Sequence, residues 1–234
     1  MGSPKDEPGR REDELQHKVI LTKGFWIADT PVTQALWQVV MGENPSYFLG
    51  EERPVENVSW MDAQAFIAKM NGMKAELKLC LPTEAQWEYA CRAGTLTPFF
   101  CGNQIDIFQV NYDSLFPYNF GKSYESRQQT VNVNDLLCND WGLYQMHGNV
   151  WEWCQDCYDD YPSDPITDPE EGSKNDYCSY HRVLRGGLWF ISGVECRYAS
   201  RDHDRSTNRF DVSGGFRLVR GHALKPVRVL GRVQ

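Results

Sequence analysis

Apolar positions recur at helical spacing in three early segments, and each carries its own start and stop signals. The first, "TQALWQVVM", opens on Thr33 as N-cap and stops at Gly42. The second, "SWMDAQAFIAKMNG", is capped by Ser59, and Ala63, Phe66, Ile67 and Met70 fall at i, i+3, i+4 and i+7. In the third, "PTEAQWEYACRAG", Thr83 and Gln86 form a capping box and Gly94 ends the helix. Ahead of them, "VILTKGFWIADTPVT" has the β-branched and aromatic content of a strand. From Thr95 to Asp140 periodicity fades into Asn, Asp, Gly and Tyr. Short aromatic runs then follow, "WGLYQM", "GNVWEWC", "HRVLRGGLWF" and "GGFRLVR", which suit short strands. Helices early and strands late predict an α+β fold. Loop content is high, and long loops in a compact domain serve binding or catalysis.

No linker divides the middle. The expected organisation is a flexible leader or remnant over 1–18, one domain over 19–225, and a C-terminal tail over 226–234. The leader lacks the apolar stretch of an export signal, so a cell-surface or extracellular protein would have to acquire that signal outside this sequence. No apolar run is long enough to span a membrane. A net charge of -8 argues against nucleic acid as partner.

Eight cysteines permit disulfides, although a chain of 234 residues does not need them. Cys154 and Cys157 form a C-x-x-C whose acidic neighbours disfavour thiolates, and no second pair completes a zinc set. In "LYQMHGNVWEWCQD", Asn149 and Glu152 place two oxygen-bearing side chains three apart. They are the only calcium candidates, with hydrogen bonding to neighbouring backbone as the plainer reading.

The segment 185–220, "RGGLWFISGVECRYASRDHDRSTNRFDVSGGFRLVR", mixes a spaced framework with an irregular filling. Neither the strand nor the helix period fits 202–213. A catalytic set of Cys196, His203 and Asp204 can be written down, but nothing in the spacing brings the three together. Residues 188–215 contain only two of the types Lys, Glu, Gln, Met and Trp, against about six at the average rate of the chain. No codon ending in a pyrimidine encodes those five types. The depletion is what randomising the first two bases of Asn codons would produce.

Five ordered blocks resemble one family: "TPVTQALWQVVMGENPSYF", "RPVENVSWMDAQAFIAKMN", "LPTEAQWEYACRAG", "WGLYQMHGNVWEWCQD" and the spaced R-G-G, C-R and G-F-R of the last segment. They resemble the formylglycine-generating enzymes (sulfatase-modifying factors), over about residues 20–220. The resemblance implies a C-type lectin-like α+β fold with a small twisted antiparallel sheet, two main helices and many long ordered loops. It also raises Asn149 and Glu152 as calcium ligands. The copper chemistry of those enzymes needs two cysteines five apart after the R-G-G. Here the second position is Cys196 and the first is Ile191, so no catalytic residue is assigned.

The last segment also resembles the variable region of proteins diversified by retroelements. That resemblance makes Leu188, Phe190, Ile191, Ser192, Tyr198, Ser200, Asp202, His203, Asp204, Ser206, Asn208, Phe210, Asp211, Val212 and Ser213 the variable ligand-binding positions. Most are expected to reach solvent on one face, with Phe190, Tyr198 and Phe210 as anchors. Gly186, Gly187, Trp189, Cys196, Arg197, Ala199, Arg201, Arg209 and Phe216 would be scaffold. The expected function is a diversified ligand-binding domain, monomeric, without catalysis or required cofactor, whose ligand is a macromolecule, most simply a protein. The alternative is a copper-dependent oxidase of the formylglycine-generating type.

Overall fold

Local capping chemistry places all three helices where the apolar spacing puts them. Helix α1 (Gln34–Met41) starts at Thr33, whose hydroxyl accepts from Leu36 N, and ends at Gly42 in the left-handed conformation. Helix α2 (Trp60–Met73) begins with a reciprocal box between Ser59 and Asp62. Helix α3 (Glu84–Arg92) begins with the Thr83 and Gln86 box, and Ala93 rather than Gly94 takes the left-handed cap. The computed structural model describes residues 1–169, 180–209 and 214–220, with the backbone alone of 221–223 and 228–230.

In chain order the strands are β1 (Val19–Ile20), β2 (Gly24–Ala28), β3 (Leu79–Cys80), β4 (Trp151–Cys157), β5 (Ile166–Thr167), β6 (His181–Arg185), β7 (Arg201–Arg205), β8 (Gly214–Gly215), β9 (Val219–Ala223) and β10 (Arg228–Leu230). They form two four-stranded sheets, β10-β2-β9-β3 and β7-β6-β4-β8, and a β1-β5 pair. The sheets are mixed, because β10 runs parallel to β2 and β8 parallel to β4. This corrects the expectation of one small antiparallel sheet. The fold is nonetheless α+β, with three α-helices among the described residues and long loops between them.

Helices α1 and α2 bury one face in a cluster with Trp153, Leu184 and Phe216, where Trp37 stacks on Phe66 at 5.3 Å. Helix α3 joins a second cluster of Phe25, Trp87, Val183 and Tyr198, and a third gathers Phe99, Tyr112, Tyr118 and Cys196. Among the described residues no helix is long and apolar enough to cross a membrane.

The termini depart from expectation. Residues 1–18 are no flexible leader: Ser3 and Glu14 are fully buried, and Glu7 and Glu14 both pair with Arg197. The presumed C-terminal tail contributes β10 to a sheet. Residues 202–205, which show no period, lie in the edge strand β7, whose register with β6 pairs Leu184 with Asp202 and Arg182 with Asp204. An edge strand takes its place from main-chain bonds to one neighbour, so its own side chains need not alternate.

Candidate functional site

The site begins at the turn after β6. Gly186 and Gly187 have φ of 98° and 81°. A Cβ on Gly186 would stand 3.1 Å from the Trp87 ring, and one on Gly187 would stand 2.8 Å from Cys196 Sγ. Only glycine combines this backbone with this closeness. Below the turn, four arginines are almost completely buried, and each meets a carboxylate. Arg217 makes a bidentate pair with Glu152, 2.6 Å at each end, while Trp87 Nε1 donates to the same carboxylate at 2.8 Å. Arg185 pairs with Glu88 and donates to the Ser200 carbonyl. Arg201 straddles Glu84 at 2.7 and 3.0 Å. Arg197 reaches Glu14 at 2.6 Å, Glu7 at 2.7 Å and the carbonyls of Gly9 and Val194. These charge-assisted bonds fix the loop backbone without reference to the exposed side chains above it. Arg209 grips Asp62 at the surface.

On that base the turn lifts Phe190 into solvent, 44% exposed. Its ring lies 4.7 Å from Trp189, which is edge-on to Phe48 at 5.3 Å, and Phe48 in turn meets Tyr47 at 4.9 Å. Tyr47 and Leu49 are also strongly exposed. The loop that carries them is braced from inside. Gln34 Nε2 donates to the carbonyls of Phe48 and Pro54, and its Oε1 accepts from Gly50 N and Asn44 Nδ2. Glu56 Oε1 accepts from the backbone of Tyr47 and Phe48 at 2.6 and 2.9 Å. The result is a rigid run of aromatic surface reaching from residue 47 to residue 190. Tyr47 and Leu49 were not singled out in the sequence, although "NPSYFLG" sets an apolar triplet among turn residues.

Beside Phe190, Ile191 packs partly into two apolar clusters. Cys196 lies beneath, fully buried, and burial followed by the charge of Glu195 pushes its thiol up. His147 is buried too, and desolvation lowers it to about 4, so its ring is neutral. Its Nε2 accepts from Phe100 N at 3.2 Å, and Nδ1 donates to the Cys196 carbonyl at 2.6 Å. His203 sits elsewhere, 4.1 Å from the Tyr158 ring and 5.3 Å from that of His181.

The chain matches the sulfatase-modifying factor enzyme 1-like domain over residues 1–222. It belongs to that family. It is 32% identical to the mouse formylglycine-generating enzyme over 213 residues, covering 88% of this chain and 54% of that protein. The chain therefore spans only about half the length of that relative. Bovine inactive C-alpha-formylglycine-generating enzyme 2 is 30% identical, with 92% of this chain and 65% of that one covered. Among solved structures, Treponema denticola variable protein 1 superposes with a TM-score of 0.74 at 27% identity, covering 94% of this chain and 93% of that one.

Within the sulfatase-modifying factor fold, Ile191 occupies the place that the sequence resemblance assigns to the first copper thiol. A hydrocarbon there and one buried, protonated thiol below do not form a two-sulfur site. The calcium candidates do not fit either. Both oxygens of Glu152 are held by Arg217, and Asn149 Oδ1 accepts from Val131 N and Asn111 Nδ2. Cys157 is disulfide-bonded and Cys154 is a free buried thiol, so the C-x-x-C is not a redox pair.

Several positions expected at the surface are interior. Leu188, Tyr198, Ser200 and Ser206 are buried. Leu188 joins the first apolar cluster, and Tyr198 joins the second while its hydroxyl donates to Leu96 O. Ser200 donates to Glu195. The burial of Leu188, Tyr198 and Ser200 follows from the short turns between 186 and 200, while Ser206, after β7, is held by backbone bonds to Tyr180 and Met61. Ile191, Ser192, Asp202, His203 and Asp204 are half-buried and Asn208 is exposed, while Phe210, Asp211, Val212 and Ser213 lie outside the described residues. Residues 190–192 follow Trp189, which meets Phe48, whereas His203 in β7 lies against Tyr158 and His181. Among the described residues of the set, buried and solvent-reaching positions alternate along the chain rather than all reaching solvent. Trp189, a scaffold position, is half-buried within the aromatic run.

Proposed function

We propose that this chain is a ligand-binding domain that presents residues 190–192, flanked by Tyr47 and Leu49, to a protein partner at a cell surface. It does so without the oxidase chemistry of its enzymatic relatives. The observation that carries the reading is the replacement of a two-thiol centre by Ile191 over a buried Cys196, capped by exposed Phe190 on a preorganised backbone. An exposed aromatic fixed in place loses little entropy on binding. Similarity to Treponema denticola variable protein 1 supports the same reading. Genes from sister isolates should differ at 190–192 and agree at Leu188, Tyr198, Ser200 and Ser206. Invariance at 190–192 would sink the proposal. Purified protein given copper and a cysteine-containing sulfatase peptide should yield no formylglycine. An aldehyde product lost in Cys196→Ala would establish the oxidase instead.

A further inference from the structure

Away from that surface, residues of 101–109 and 120–124 line an open groove of ≈ 630 Å³. This volume suits a small ligand of one or two rings. The groove has an aromatic wall held under strain. Phe120 is fully exposed, and it and Asn119 adopt φ of 60° and 44°. Bulky residues seldom occupy that region, and strain retained at a surface marks a position kept for use. Tyr124 forms the facing wall, edge-on to Phe108 at 5.7 Å, with Lys122 Nζ 4.9 Å above its ring.

Between the walls lie Asn103, Gln104, Asp106 and Gln109. Local bonds orient Gln104, Asp106 and Gln109 and leave part of each of these side chains unused. Gln104 Nε2 donates to Asn119 O at 3.0 Å, and Gln109 Oε1 accepts from Asp106 N at 3.2 Å. Asp106 Oδ1 accepts from Phe108 N at 2.8 Å. Gln104 Oε1, Gln109 Nε2 and Asp106 Oδ2 have no hydrogen-bond partner among the described residues. A free acceptor, a free donor and a free carboxylate oxygen thus stand beside an open ring face.

Hydroxyl groups on adjacent carbons donate and accept at once, and so satisfy such a set. The face of an aromatic ring is negative and attracts the C–H side of a sugar ring. One carboxylate and one ammonium, the latter engaged over Tyr124, leave the groove close to neutral. We propose that this groove binds a neutral saccharide of one or two rings, stacked on Phe120 and held by Gln104, Asp106 and Gln109.

The test is an NMR titration of the full chain with methyl glycosides of glucose, galactose, mannose and N-acetylglucosamine, and separately with inorganic phosphate. At least one sugar should saturably shift amides of 103–109 and 120–124, at a Kd near about 1 mM. Phe120→Ala and Gln109→Ala should each weaken it by about tenfold or more. Phe190→Ala should leave it unchanged, which separates this site from the proposed protein-binding surface. Phe120→Gly should raise the Tm through relief of the positive φ while losing the sugar, an outcome that a purely structural role does not produce. The proposal is overturned if no sugar shifts these amides, if Phe120→Ala binds as tightly as the parent, or if phosphate alone binds.

Discussion

Tyr198 and Phe190 lie eight positions apart in one irregular segment, and opposite energetics govern them. Tyr198 has no exposed surface, and Arg92 packs over its ring at 3.3 Å. Tyr198→Ala and Leu188→Ala should each cost about 2–5 kcal/mol, whereas Phe190→Ala should stay within about 0.5 kcal/mol. Urea unfolding measures all three, and equal losses would place Phe190 in the core. Nothing local distinguishes the two rings in the sequence. Tyr198 is buried because the chain at 96–98 bonds its hydroxyl and its backbone N–H.

At the scale of elements, the N-terminal segment acts as a clamp on the loop after the two-glycine turn. Gly9 packs against Val194, Arg11 reaches Glu195, and Glu7 and Glu14 neutralise Arg197. Glu14 accepts from both Nη1 and Nη2 of Arg197 while Glu7 still meets Nη1, so Glu14→Ala removes charge-assisted bonds without orphaning the cation and should cost about 1.5–3 kcal/mol. Adding Arg197→Met leaves the buried Glu7 without its cation and should destabilise further unless Glu7 is replaced too, and a double-mutant cycle reads the coupling. Additive losses would show that the clamp is not electrostatic. In the sequence, "DEPGRREDELQHK" looks like a solvated tail because the arginine that Glu7 and Glu14 share lies more than 180 residues away. The helices, by contrast, were legible to within a residue, since a cap and its box span three positions.

For the molecule as a whole, a buried carboxylate couples stability to pH. Burial, reinforced by the charge of Glu84, raises Asp156 from 3.8 to about 7 while its Oδ2 accepts from Glu84 N. The folded state therefore holds a proton that the unfolded chain has released. By linkage the contribution of this group is greatest below pH ~4 and falls as pH rises toward ~7. Asp156→Asn should flatten that decline and stabilise the protein at pH 8, as followed by thermal unfolding across pH. An unchanged profile would show that Asp156 is ionised throughout.

The sequence by itself determined the three helices and the family, and it sets Ile191 where the resemblance expects a thiol. Each of these is written in contiguous residues or in the order of short blocks. Tertiary structure alone decided which side chains of 188–208 face solvent, and it turned residues 1–18 from a leader into part of the fold. It also brought Glu152 onto Arg217. The reason is distance along the chain. Burial and ion pairing join groups 65 to 190 residues apart, and no local pattern records which of them will meet.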